Sequence, residues 1–316
     1  MEKITVIGGG IIGLSCAWRL AQRGHAVTLF EARELAAEAS WTAAGMLSPG
    51  GEFTGDTPAL RMALASLDLY DDFVRELREV SGLPIDYRHC GALELALTDA
   101  ESAELDRRAT AQQKLGIRSV RTVKGRFYPD DALVNPREVT AALIVACRRQ
   151  GVALREHERV ERIGPEPTLL AAGAWSSALT PAIPRVSPVR GHLVSYDAPG
   201  LRLESIVRHK NTYLAQRTSG VIVAGTTTEN AGFDRTIDEA AIRDIDKRAR
   251  NLIPELPAPS DRWNGFRPAI EGDTPAIGRV QDTSVWTACG HYRNGILLAP
   301  ETARLIAASF QAASFP

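Results

Sequence analysis

The sequence predicts an α/β fold: a Rossmann-like nucleotide-binding domain interrupted by a second, mostly antiparallel β-sheet domain. Three observations carry this expectation. A strand, a glycine turn, a helix and a second strand follow one another over residues 3–31. Alternating apolar patterns separated by turns fill residues 187–230. Strand and helix patterns then return towards the C-terminus, as expected of a layered α/β domain split by an insertion. The division predicted is 1–84, 135–186 and 263–316 for the discontinuous nucleotide-binding domain, with 85–134 and 187–262 forming the substrate-binding domain.

In chain order, Ile4, Val6 and Ile7 form an apolar strand that runs into Gly8–Gly13. Ile12 to Arg23 carries Leu14, Ala17, Trp18 and Leu20 at helical spacing, with Gly24 as its C-cap, and Ala26 to Phe30 is the second strand. Apolar residues at 60, 63, 64, 67, 70, 73, 74, 77 and 80 predict one long amphipathic helix from Pro58 to Val80, stopped by Gly82-Leu83-Pro84. Gly91 to Leu97 reads as a strand, followed by an acidic helix from Asp99. Asn135-Pro136 opens a helix, with Asn as N-cap and Pro in the first turn, and the helix runs to Gly151. Strands at Val152–Arg155 and Thr168–Ala172 flank a turn at Gly164–Pro167. Asp238 to Leu252 is a further amphipathic helix, 284–289 a strand, and Gly295 to Ala313 the last helix.

Composition narrows the function classes. The 316 residues include 37 basic and 38 acidic side chains, for a net charge of −1, so no basic excess points to nucleic acid or an anionic membrane. No run approaches the roughly 18 apolar residues of a membrane span, and the first residues read as a strand and not as a signal peptide. Cys16, Cys90, Cys147 and Cys289 are far apart and form no CxxC pair, so free thiols in a cytoplasmic protein are expected. The six histidines form no metal-binding pattern.

Gly8-Gly9-Gly10-Ile11-Ile12-Gly13 contains GxGxxG between strand and helix. Gly8 permits the tight turn, Gly10 lets backbone approach a pyrophosphate, and Gly13 lets helix pack on strand. Glu31 closes the second strand 18 positions later, where a carboxylate can accept from ribose hydroxyls. The motif alone does not separate NAD from FAD, and a glycine-rich turn that binds nothing is the plain alternative.

Further segments carry a family resemblance. Ser40-Trp41-Thr42-Ala43-Ala44-Gly45-Met46-Leu47 looks like the flavin-contacting loop of the D-amino acid oxidase superfamily, and Ala171-Ala172-Gly173-Ala174-Trp175-Ser176 its second nucleotide segment. Trp263-Asn264-Gly265-Phe266-Arg267-Pro268, Pro275-Ala276-Ile277-Gly278 and Gly290-His291-Tyr292-Arg293-Asn294-Gly295-Ile296-Leu297-Leu298-Ala299-Pro300 resemble the bacterial glycine oxidase branch. The resemblance spans residues 3–312.

The resemblance implies non-covalent FAD as cofactor, since no cysteine matches a covalent link. It places Ile11, Ile12, Glu31, Ala32, Ala39 and Ser40 at the adenosine and diphosphate, together with Gly8, Gly10, Gly13 and Gly173. Ala44, Gly45 and Met46 would lie by the flavin, and Val160 would meet the adenine through its backbone. His291, Tyr292, Arg293, Asn294, Gly295, Ile296 and Leu297 would wrap the flavin's far side. A positive helix end after Asn294-Gly295 suits negative charge at the N1–C2=O side of a reduced flavin. Arg267 would be the carboxylate-binding arginine, Tyr213 its partner, and Arg293 a second cation. A planar guanidinium binds an α-carboxylate bidentately. The plain alternatives are a surface ion pair for Arg267 and an ordinary strand tyrosine for Tyr213.

The implied activity is oxidative deamination of glycine or another small amino acid by hydride transfer to flavin N5. The imine would hydrolyse to glyoxylate and ammonia, and O2 would reoxidise the flavin to give hydrogen peroxide. D-amino acid dehydrogenase with a quinone acceptor and sarcosine or D-proline oxidase are alternatives of the same class. A non-catalytic flavin-binding subunit and an NAD-dependent dehydrogenase are the others. Homo-oligomerisation and hand-off of the imine to a thiazole synthase of thiamine biosynthesis are the expected associations. Three departures from the family pattern stand out. Val160 to Thr168 is short, Asn211-Thr212 precedes Tyr213, and Thr226-Thr227-Thr228 is more polar than expected.

Overall fold

A computed structural model describes residues 2–272 and 274–313; the expected domain end at 314–316 lies outside the described residues. The apolar run at the N-terminus forms the strand Lys3–Ile7, the centre of a six-stranded sheet. The strand order across that sheet is Ala276–Arg279, Val285–Cys289, Thr168–Leu170, Lys3–Ile7, Ala26–Phe30, Ala153–Arg155. All neighbours are parallel except the antiparallel pair at the Ala276 edge. Helices Ile11–Gln22, Tyr70–Ser81, Pro136–Arg149 and Gly295–Ala313 pack together beside this sheet. They share a core that includes Leu14, Trp18, Phe73, Leu143, Ile306 and Phe310. Gly13 explains how closely the first helix sits: a Cβ there would lie 1.9 Å from the Gly8 carbonyl oxygen.

The second sheet has eight strands, in the order Asp261–Ile270, Val186–Asp197, Val221–Gly225, Thr212–Gln216, Ile206–His209, Ala92–Leu95, Gly125–Tyr128, Val120–Thr122. Its pairs are antiparallel except Ile206–His209 with Ala92–Leu95, so the expected mostly antiparallel sheet is present. Helix Glu239–Leu252, capped by Asp238, buries Ile242, Ile245 and Ala249 with Val194, Tyr196, Leu214 and Ile222. Residue 263, where the sequence places a domain boundary, falls inside the strand Asp261–Ile270, which pairs with Val186–Asp197 over ten positions. A small sheet of Met46–Leu47, Ala132–Val134 and Tyr87–Arg88 joins the two larger ones.

One element differs from expectation. The single helix read over 58–80 is two, Pro58–Asp68 and Tyr70–Ser81, meeting at Leu69. The Ser66 and Tyr70 hydroxyls on either side of the junction donate to the carbonyls of Leu297 and Ile296, at 2.6 and 2.9 Å. Tertiary anchoring to the last helix therefore sets the junction, which apolar periodicity does not encode. No helix of the described residues is long and apolar enough to cross a membrane.

Candidate active site

Parallel strands deliver their chain turns to one edge of a sheet, where ligands bind. Here Ile7, Phe30, Leu170 and Cys289 end their strands and hand over to Gly8, Glu31, Ala171 and Gly290, all of which line one cavity. The cavity has a volume of about 500 Å3 and continues to the inner face of the eight-stranded sheet, where Tyr213 and Arg267 line it.

The dinucleotide end is built by short-range chemistry. Gly8 adopts φ +110°, which a side chain would strain, and a Cβ there would lie 2.4 Å from the Ala171 carbonyl oxygen. Glu31 accepts from the backbone N–H of Gly9 at 2.8 Å and of Arg33 at 2.9 Å, so its carboxylate fixes the glycine turn. Ser40 Oγ accepts from the Ile11 N–H at 2.9 Å, at the first turn of the helix. The cavity wall at this end is Gly8, Gly10, Ile11, Ile12, Glu31 and Ala32, with Ala39, Ser40, Val160 and Gly173. A glycine turn, a helix N-terminus and a carboxylate at the end of the second strand are the donor and acceptor set a dinucleotide needs, and FAD fits it.

The Glu31 contacts give a prediction. Glu31→Ala should weaken FAD binding by roughly ten- to a hundred-fold, the worth of about 1.5–3 kcal/mol for charge-assisted hydrogen bonds. The reduction rate of reconstituted holoenzyme should stay near wild type. FAD titration of apoprotein measures the first, stopped-flow the second; unchanged affinity contradicts the placement of Glu31.

Ala44, Gly45 and Met46 line the middle of the cavity. Gly45 has φ +85°, and a Cβ there would meet the Val134 carbonyl oxygen at 1.9 Å. Trp263 Nε1 donates to the Thr42 carbonyl at 3.1 Å. Arg217 was not expected here. It is buried, and its two terminal nitrogens donate to the carbonyls of Val134, at 2.7 Å, and of Ala44. Burial pulls its pKa down to about 10. No local signal marked it, because its partners lie 83 and 173 positions away.

His291, Tyr292, Arg293, Asn294, Gly295 and Ile296 all line the cavity. Leu297, expected at the flavin, does not line it and is buried in the core between helices. The helix periodicity turns it away from the wall that Ile296 faces. Gly13 likewise packs helix on strand and does not line the cavity.

His291 is buried, lies 3.0 Å from Thr302 Oγ1 through Nε2, and burial pushes its pKa down to about 3. It is therefore a neutral imidazole at neutral pH. Because its folded pKa lies below that of a free histidine, its contribution to stability is complete above about pH 6.5 and is lost as pH falls towards 3. At pH 5 that loss amounts to about 2 kcal/mol. The melting temperature of His291→Gln should therefore fall less between pH 7 and pH 5 than that of the wild type. Parallel thermal melts at the two pH values check this, and equal falls contradict it.

At the end of the cavity nearest the eight-stranded sheet, glycines on neighbouring strands clear space for the side chains of Arg267 and Tyr213. Arg267 passes over Gly191, where a Cβ would lie 2.3 Å from Nη1. Tyr213 lies opposite Gly225, where a Cβ would meet its hydroxyl at 2.5 Å. Arg267 donates through Nη1 to the Thr227 carbonyl at 3.0 Å and through Nη2 to Thr226 Oγ1 at 2.6 Å. The unusual polar run at 226–228 thus supplies neutral oxygens that orient the guanidinium. Burial raises the Tyr213 pKa against the opposing fields of Arg267 and Arg293, so the phenol keeps its proton. Arg293, also in the wall, pairs with Glu52 through Nε at 2.5 Å. Burial disfavours its charge, and Glu52 more than offsets that, so its pKa is raised.

Cavity, glycine turn and strand order together define a dinucleotide-binding protein. The model of the FAD dependent oxidoreductase (DAO) family matches residues 3–309, and the chain belongs to that family. A glycine oxidase of Geobacillus kaustophilus is 30% identical, the match covering 96% of this chain and 91% of that protein. The bifunctional protein ThiO/ThiG of Nostoc sp. is 33% identical over 97% of this chain, which spans only 52% of that relative. The crystal structure of a glycine oxidase from Geobacillus kaustophilus superposes with a TM-score of 0.92 at 28% identity, over 99% of this chain and 95% of that one. The protein is an FAD-dependent enzyme of the amino acid oxidase class.

Proposed function

We propose that the enzyme oxidises glycine, or an amino acid of similar size, to its imine, with O2 as the electron acceptor. The observation that carries this is Arg267. Its guanidinium reaches the cavity wall, takes only neutral oxygens as partners among the described residues, and has a protonated Tyr213 in the same field. A planar fork of this kind matches an α-carboxylate. FAD, when bound, supplies the hydride acceptor. Arg267 holds the carboxylate, Tyr213 adds one oriented donor, and the two fix the direction of the α-carbon. Orientation then contributes most of what the protein adds, and no acid–base pair is required.

The residues given roles above form the proposed cofactor and substrate sets, with FAD held non-covalently. The proposed division of labour follows the two large sheets: the parallel one for FAD, the antiparallel one for substrate. The imine would hydrolyse to glyoxylate and ammonia. The bifunctional relatives carry a second half beyond the matched region, which supports hand-off of the imine to a thiazole synthase. The test is product analysis with purified holoenzyme and glycine in air. Equal amounts of glyoxylate, ammonia and hydrogen peroxide support the reading. Turnover only with a quinone overturns O2 as the acceptor, and turnover only with sarcosine or D-proline overturns glycine as the preferred substrate.

A further inference from the structure

We infer that Glu52 sets the charge class of the substrate. By pairing with Arg293 it neutralises the second cation of the site, so that amino acids with one carboxylate are accepted and those with two are rejected. The inference rests on the reading of Arg267 as the carboxylate clamp.

Glu52 and Arg293 both line the cavity and bridge it from separate loops. Their contact is 2.5 Å, with the Glu52 side chain 17% exposed and that of Arg293 45% exposed. Glu52 closes the short helix Pro49–Glu52, which is held firmly from behind. The buried Gln112 donates through Nε2 to the carbonyls of Gly50, at 2.8 Å, and Phe53, at 2.7 Å. Tyr128 Oη in turn donates to Gln112 Oε1 at 3.1 Å. Gly50 lies so close to the Tyr128 ring that a Cβ would come within 2.3 Å of it, and Gly51 stands as close to Arg208. A carboxylate on such a loop keeps a fixed position instead of following its partner.

Three of four cations near Tyr213 are paired with carboxylates among the described residues. Arg208 pairs with Asp131 at 2.8 Å, Lys210 with Glu101 at 2.6 Å, and Arg293 with Glu52. Arg267 alone among these four meets only a hydroxyl and a carbonyl. The substrate end therefore offers uncompensated positive charge for one anionic group. A second carboxylate reaching Arg293 would have to displace or face Glu52, and like charges at that separation repel strongly. Glu52, Tyr213, Arg267 and Arg293 all line the same cavity.

The test uses ligands that are not turned over. Glycolate mimics glycine, and diglycolate mimics glycine carrying a second carboxymethyl group. Each is titrated into holoenzyme while the visible flavin spectrum is followed. Wild type should bind glycolate at least about tenfold more tightly than diglycolate, the effect of one like charge at a partly screened site. Glu52→Gln should move the ratio towards diglycolate by about tenfold or more, and adding Arg293→Gln should remove that gain. A wild type that binds both equally overturns the inference, as does a ratio unmoved by Glu52→Gln. Should Glu52→Gln fail to fold, as judged by melting and flavin content, the wild-type ratio decides alone. No response to glycolate overturns the clamp reading itself, and this inference with it. A glycolate response without discrimination overturns the inference only.

Discussion

Replacing Arg267 with alanine is expected to lower the efficiency of flavin reduction by glycine roughly thirty-fold to several-thousand-fold, because an unpaired desolvated carboxylate costs about 2–5 kcal/mol. Lysine should rescue only part of the loss, since an ammonium cannot offer two parallel donors. The hydrogen bonds to Thr226 and Thr227 mean that Arg267 also steadies the turn after Gly225, so a small fall in melting temperature should accompany the kinetic effect. A purely structural arginine gives the reverse pattern: a large loss of stability or FAD with amino acid affinity intact. Reduction rates against glycine concentration, read beside melting temperature and flavin occupancy, separate the two.

The second large effect is expected at Arg217. Its side chain joins the end of the strand Thr212–Gln216, which it follows, to the Ala43–Gly45 loop and to Val134. Arg217→Met keeps much of the volume and removes both donors, leaving two buried carbonyls unpaired. At about 1–3 kcal/mol for each unsatisfied group, the loss of stability should be about 2–6 kcal/mol. Gly45 already sits against the Val134 carbonyl, so displacement of that carbonyl should disturb the loop and reduce flavin occupancy too. Denaturant melts of holoenzyme and apoprotein test this. A variant with wild-type stability and full occupancy contradicts the proposed tie.

What the sequence made legible follows the range of the interactions. The glycine turn and the first helix form within 31 residues and can be read from spacing, although the contacts of Glu31 with the Gly9 and Arg33 N–H groups could not. The Asn135 cap is local too and accepts from the first turn as expected, whereas Asp238, read as the first residue of its helix, is its cap. Features fixed by distant partners were not legible. The junction at Leu69 depends on carbonyls at Ile296 and Leu297, and the place of Arg217 depends on Ala44 and Val134. Arg293 was visible as a cation in a motif. Its partner Glu52 lies 241 positions earlier, on a short helix with no spacing signal. The polar run Thr226-Thr227-Thr228 stood out as unusual, and the structure supplies the reason in its contacts with Arg267.

The most direct measurement is anaerobic mixing of purified holoenzyme with glycine while the flavin bands are recorded. Glycine should bleach the oxidised spectrum with a saturable rate, and admission of O2 should restore it with one hydrogen peroxide formed per flavin. A spectrum left unchanged by glycine, sarcosine, D-alanine and D-proline alike would contradict the account of Arg267 and Tyr213 as the clamp of a small amino acid oxidase.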